Sequence, residues 1–293
     1  MKSVLILVLA IFVISCFGTK KAIETQPQQI KEIAVVEEVP DAIKPPIDSA
    51  SIPQKTEEIT QEQSEIIEEE PIVEHDTTFE SFSHIIWQEL LEKHASENGN
   101  VNYSGFKKDA KQLKSYINSL TLKTPTNEWS KEDKLAYWIN AYNALTIDLI
   151  IRNYPTKSIK NIKDPWDQRL WKFGGKWQNL NDIEHKILRK MNEPRIHFAI
   201  VCASESCPKL QNEAFTSSNF EEQLTNVTKE FLSDTSKNEL SKDRIMLSKI
   251  FKWFKKDFEE NGSLIDFLNQ YSEIRISNKA KRSFKAYNWD LNE

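Results

Sequence analysis

The sequence predicts an α+β fold, a mostly helical single domain with a few short strands, preceded by a signal peptide and a disordered tether. Three observations predict it. Apolar residues recur at helical spacing through most of the stretch 79–293. Short β-type runs and a Gly-Gly turn separate those helices. The stretch from Gly18 to Thr78 contains no Phe, Trp or Tyr.

The leader comes first. Lys2 precedes an uncharged apolar run, Val4 to Ile14. At about 11 residues that run is too short to span ~30 Å of hydrocarbon, so residues 1–15 read as a cleaved signal peptide. The run ends Val13-Ile14-Ser15-Cys16, which resembles the lipobox of bacterial lipoproteins. The resemblance implies that Cys16 is lipidated, anchors the chain to a membrane and becomes the mature N-terminus. Residues 16–78 then form the tether. Six of the eleven prolines and Glu68-Glu69-Glu70 lie there, and Phe17–Thr77 carries five lysines against fifteen carboxylates. Such a stretch cannot offset its ordering entropy by burial, and like charges and prolines keep it extended. Its expected job is to hold the domain, 79–293, off the surface of a bacterial membrane in the cell envelope.

Within the domain, Phe82, Ile85, Ile86, Leu90 and Leu91 predict a helix over Phe79–Ala95, ended by Asn98-Gly99-Asn100. A short extended piece, Val101–Tyr103, leads to a second amphipathic helix over Phe106–Leu120. Ser130 is a good N-cap for a third, which runs to about Asn153 and stops before Pro155. Its centre is apolar nearly all round, so it is expected to be buried. Trp171, Phe173 and Trp177 around Gly174-Gly175 predict a hairpin. Leu180–Lys190 reads as a short helix with Asn181 as N-cap, and Ile196–Cys202 as a buried strand. Further helices are expected over Phe215–Leu232, Phe251–Phe258 and Leu264–Tyr271. Short strands are expected at Ile245–Leu247 and Tyr287–Trp289.

Composition excludes several functions. The domain is only mildly basic, with no clustered basic face, so nucleic acid is not an expected partner. No phosphate-binding glycine loop, nucleophile elbow or zinc-protease helix is present, and no cofactor is expected.

Four segments in order carry a family resemblance. They are Tyr137–Thr146 (YWINAYNALT), Leu180–Arg189 (LNDIEHKILR), His197–Leu210 (HFAIVCASESCPKL) and Tyr287–Asn292 (YNWDLN). Together they resemble the domain of unknown function 547 family, over nearly all of 79–293. The resemblance implies an exported lipoprotein, as bacterial members often are. Plant relatives are intracellular and often lack a match to Cys207. The helix-then-strand order also bears a distant likeness to papain-like and transglutaminase-like thiol enzymes, which place their cysteine at the start of the buried helix; here that helix offers Asn140 and Asn143 instead.

Cys207 is the sharpest chemical candidate. Pro208 favours a helix start, and a thiol at a helix N-terminus ionises more readily. The same residue has three other readings: a disulfide with Cys202 in an oxidising compartment, simple packing, or zinc binding with His185, His197 and Cys202. The last lacks compact Cys-x₂-Cys spacing, and no metal is expected. His185 and His197 are candidate bases, with Asp182 placed to orient His185. Asn140 and Asn143 sit in the buried helix and need partners, either loop backbone or a catalytic histidine. The tryptophan-rich stretch Trp166–Trp177 is core or a binding face for glycan or peptide. Two functions follow. One is a non-catalytic binding or scaffold module for an envelope peptide, protein or glycan. The other is a thiol-dependent hydrolase or transferase acting on peptide or acyl bonds, with Cys207 as nucleophile, His185 or His197 as base, and Asn140 or Asp182 as orienter.

Overall fold

The computed structural model describes residues 82–293. The leader, Cys16, the tether and the expected start of order at Phe79 lie outside the described residues. The described residues open with α1 (Ile85–His94), α2 (Tyr103–Lys108) and α3 (Ala110–Leu122). The single helix expected over Phe106–Leu120 is thus two. Asn102 caps α2 by accepting from the Gly105 amide, so the helix starts before Phe106. At the joint, Asp109 is held by Lys93 and His94 at 2.6 and 2.7 Å. Gly105 lies hard against His94. A Cβ there would sit 2.5 Å from His94 Nδ1, nearer than a Cβ comes to a neighbour without something shifting. Gly105→Ala is therefore expected to destabilise the domain by about 1–3 kcal/mol, as overpacking does, read as a lower urea midpoint. An unchanged midpoint would mean that α1 and α2 can part freely.

Helix α4 (Lys131–Arg152) is the axis of the domain, and every residue from Leu135 to Ile151 is buried. Ser130 caps it by accepting from the Asp133 amide at 3.0 Å. α2, α3 and the Leu180–Met191 segment all pack on it. A helix apolar on every face has to be wrapped by others, and this one is. Among the described residues, no helix is long and apolar enough to cross a membrane.

The expected hairpin is present. β1 (Trp171–Phe173) pairs antiparallel with β2 (Lys176–Gln178). Gly174 and Gly175 both adopt positive φ, 51° and 82°, as a two-residue turn of this type requires. Trp171 Nε1 donates to Asp148 of α4 at 2.7 Å, which fixes the hairpin to the axis. Trp171 and Phe173 are core, while Trp177 is exposed on the other face.

The next segment departs from the expectation. Asn179, not Asn181, is the cap, accepting from the Asp182 amide at 2.7 Å. After α5 (Leu180–Asp182) the chain widens into a π-turn over Ile183–Ile187 and tightens into a 3-10 turn over Leu188–Met191. The strand expected over Ile196–Cys202 is also absent. Ile196–Ala199 is a helical turn, α6, and only the residues after it are extended. Pro194 and Glu193 offer carbonyls to the His197 and Ile196 amides, which starts the turn, and α6 packs on α7 (Phe220–Ser233). The β-branched residues suit a strand, but no neighbouring strand lies here to pair with.

Three strands form a second sheet. β3 (Glu239–Leu240) runs antiparallel to β4 (Arg244–Leu247), and β5 (Lys281–Phe284) joins β4 in parallel. The crossover from β4 to β5 carries α8 (Ile250–Trp253), α9 (Lys255–Phe258) and α10 (Leu264–Tyr271). The helix expected over Phe251–Phe258 is thus broken at Phe254. The last strand was expected at Tyr287–Trp289 and lies earlier, in β5. Residues 287–292 instead clamp the 204–206 loop. The Glu205 and Ser206 amides donate to Asp290 and Asn288, and the Asn288 amide donates to Ser206 Oγ at 2.8 Å.

Candidate functional site

A cleft of about 200 Å³ opens where α4, the π-turn, α6 with its following loop, α8 and residues 287–289 meet. It gathers Glu184, His185, His197, Cys202 and Cys207 with Trp166, Trp253 and Trp289. Residues distant in sequence converge because α4 pins the loops with side-chain amides. Asn143 Nδ2 donates to the Ala199 carbonyl at 2.9 Å, and its Oδ1 accepts from the Val201 amide at 3.0 Å. Asn140 makes the same pair of bonds to the backbone of Phe215, at 2.8 and 3.0 Å. Both amides thus hold loop backbone, and neither is hydrogen-bonded to a histidine.

The two thiols are free, and their sulfurs lie 2.9 Å apart. The loop between them turns back through Ala203, whose φ of +55° is uncommon for a residue with a Cβ, and through a bond from the Cys207 amide to the Ser204 carbonyl. Cys207 is buried, whereas Cys202 is half-buried. The Cys202 amide donates to Cys207 Sγ at 2.8 Å. Ser204 Oγ and Tyr287 Oη stand 3.1 and 3.2 Å from Cys202 Sγ. Burial opposes ionisation of Cys202, but hydrogen bonds from Cys207, Ser204 and Tyr287 outweigh it and bring the thiol below its ordinary value. Burial, followed by the neighbouring Cys202 sulfur, pushes Cys207 well up. Burial first, then the nearby thiols, keep Tyr287 protonated and therefore a donor.

This corrects the expectation for Cys207. No helix follows Pro208, so no dipole acts on the thiol. Side chains of other helices take the amides that a helix would need. Gln88 accepts from Ala214, Asn140 from Phe215 and Gln223 from Thr216. The sulfur prepared for ionisation is Cys202.

The histidines are engaged elsewhere. His197 Nε2 meets Asp257 Oδ2 at 2.8 Å, and its ring stacks on Phe254 with centroids 3.8 Å apart. Arg189 forks onto the same carboxylate with two bonds of 2.6 Å and also meets His185 Nδ1 at 2.9 Å. Burial lowers the pKa of His197, and burial with the Arg189 charge lowers that of His185, so both rings are neutral at pH 7. Burial would raise Asp257, but the bonds from His197 and Arg189 win and hold it far below the usual carboxylate range. Asp182 pairs with Arg169 and Lys186 at 2.7 and 2.6 Å, not with His185. Neither histidine hydrogen-bonds a thiol, so a Cys–His couple is not formed. Among the described residues, no group of three or more His, Cys, Asp or Glu is placed to hold a metal.

Glu184 is buried in the cleft, and Tyr142 Oη donates to it at 3.1 Å. Burial is the larger influence and pushes its pKa up to about 7. Glu184 is not among the candidates named from the sequence, although it lies in the Leu180–Arg189 segment of the resemblance. The π-turn changes which residues face inward. Asp257 had no signal in the sequence. Arg189, Ser204 and Tyr287 had one, since each lies in a segment of the family resemblance. Of the tryptophan-rich stretch, only Trp166 reaches the cleft. Its ring meets Trp289 at 5.9 Å, and Trp289 meets Tyr287 and Trp253 at 4.6 and 5.8 Å. These rings form one continuous wall.

No curated protein and no solved structure matches the chain. Over residues 126–232, a span that holds three of the four segments of the resemblance and both thiols, the chain matches the family described as "Protein of unknown function, DUF547".

Proposed function

We propose that this protein is a lipid-anchored binding module of a bacterial envelope, whose cleft takes a fragment of an envelope glycan or peptide. The carrying observation is the aromatic wall of Trp166, Tyr287, Trp289 and Trp253 beside the buried polar edge of Glu184. Concave, mostly apolar pockets with a few convergent polar groups are the usual form of a small-ligand site. Flat indole faces suit the apolar face of a sugar or a peptide side chain, and the carboxyl serves a hydroxyl or amide. The leader pattern ending at Cys16 and the acidic stretch after it support the anchored placement.

The test uses the full chain and muramyl dipeptide, which joins a sugar ring to a short peptide. Titration is expected to change tryptophan emission saturably. Trp253 is 46% exposed and its ring meets Tyr287 and Trp289, so its removal should lower the melting temperature only modestly. Trp253→Ala should weaken binding by about tenfold, the scale of losing one aromatic contact, in a variant that circular dichroism shows to be folded. No saturable response, or an equal response from the variant, would remove this reading.

A further inference from the structure

We propose that Cys202 and Cys207 form a dithiol–disulfide exchange couple opening on the cleft, with Cys202 attacking a disulfide-bearing peptide and Cys207 resolving the product. The proposal rests on the binding reading only for access, since the substrate must enter past the same aromatic wall.

Four features of the geometry converge on it. The sulfurs are 2.9 Å apart, so closing a bond of about 2.0 Å needs an approach of less than 1 Å. The loop that holds them face to face is fixed on both sides, by Asn143 on the Val201 amide and by residues 288–290 on the 205–206 amides. The pair is asymmetric, with Cys202 half-buried at the cleft and Cys207 buried behind it. The hydroxyls of Ser204 and Tyr287 sit on Cys202, where they can donate to a thiolate. Attack on a carbonyl would need an imidazole base and oxyanion donors; exchange needs only a thiolate and a second sulfur in line.

The step balances as follows. The Cys202 thiolate attacks one sulfur of the substrate disulfide. The substrate S–S bond breaks, and the departing thiolate takes a proton from water. Cys207 gives its proton to the hydroxide left by that transfer and attacks Cys202 Sγ in the mixed disulfide. The second substrate thiolate leaves, and the chain keeps a Cys202–Cys207 disulfide. Two electrons have passed from the protein dithiol to the substrate disulfide, and the reverse path oxidises a substrate dithiol.

The test uses the reduced full chain carrying Cys16→Ser, so that only the pair reacts, and the small aromatic disulfide 5,5′-dithiobis(2-nitrobenzoate). The pair should release two thionitrobenzoate ions per chain and retain none, leaving an internal disulfide. Cys207→Ser should release one and retain the other on Cys202 as a mixed disulfide visible by mass. Cys202→Ser should react about a hundredfold more slowly, because the remaining thiol is buried and raised. Circular dichroism establishes that each serine variant is folded. A reduced chain that ends with two retained adducts, or a Cys202→Ser variant as fast as the pair, overturns the proposal. This small disulfide needs no docking site, so exchange without muramyl dipeptide binding removes the binding reading alone. Binding without exchange removes the couple alone.

Discussion

Replacing Asn143 with Leu is expected to destabilise the domain by about 4 kcal/mol, since two buried backbone groups lose their partners at about 1–3 kcal/mol each. Asn143 is 3% exposed, and the groups it serves are the Ala199 carbonyl and the Val201 amide. Leucine fills nearly the same volume but offers neither a donor nor an acceptor. Ala199 and Val201 are themselves buried, so their backbone groups depend on Asn143. For a domain of this size, 1 kcal/mol corresponds to roughly 2–4 °C, so the melting temperature should fall by about 8–16 °C. Urea unfolding followed by circular dichroism measures it. A loss below about 1 kcal/mol would show that the loop finds other partners, and that α4 does not hold the thiols in register. The variant should also lose the contrast between Cys202 and Cys207 in alkylation rate, because Val201 leads directly into Cys202.

Glu184→Gln is expected to do the opposite. Burial raises the carboxyl to about 7 in the folded chain, against 4.5 for an ordinary glutamate. Between those values the folded state keeps a proton that the unfolded state releases, so the folded form is favoured at the acid end. That advantage is complete below pH 4.5, shrinks as pH rises, and is gone above pH 7. At pH 8 the native chain therefore carries a buried charge costing about 3 kcal/mol. Glutamine keeps a carbonyl to accept from Tyr142 Oη and never ionises. The variant should be more stable than the native chain by about 3 kcal/mol at pH 8 and equal to it near pH 4.5. Urea midpoints at pH 4.5, 6 and 8 decide it. A difference that does not change with pH, or a less stable variant at pH 8, would mean that Glu184 is not desolvated as the cleft implies. Such a stability cost at a pocket is typical of a group kept for function rather than for folding.

The local elements were legible wherever side-chain pattern and backbone chemistry agree. Ser130 and the apolar girth of α4 marked the central helix, and Gly174-Gly175 marked the hairpin. The site was legible only as a list of residues. Cys202, Cys207, His185, His197, Asn140 and Asn143 were all named, but their roles were not. Cys207 was read through a helix after Pro208, and that helix is absent because Gln88, Asn140 and Gln223 claim its amides. His185 was read through Asp182, which is spent on Arg169 and Lys186.

By itself, then, the sequence determined the helical class, the buried axis, the turns and the residues able to do chemistry. Those properties depend on side-chain type and on spacing within a few turns of chain. Tertiary structure alone decided which sulfur is the more exposed, which carboxyl is buried deeply enough to hold its proton, and which histidine is already paired. Asp257 lies 60 residues from His197, and Tyr287 lies 85 from Cys202. Ionisation at such a site depends on desolvation and on donors within about 3 Å, and no local pattern records contacts of that range.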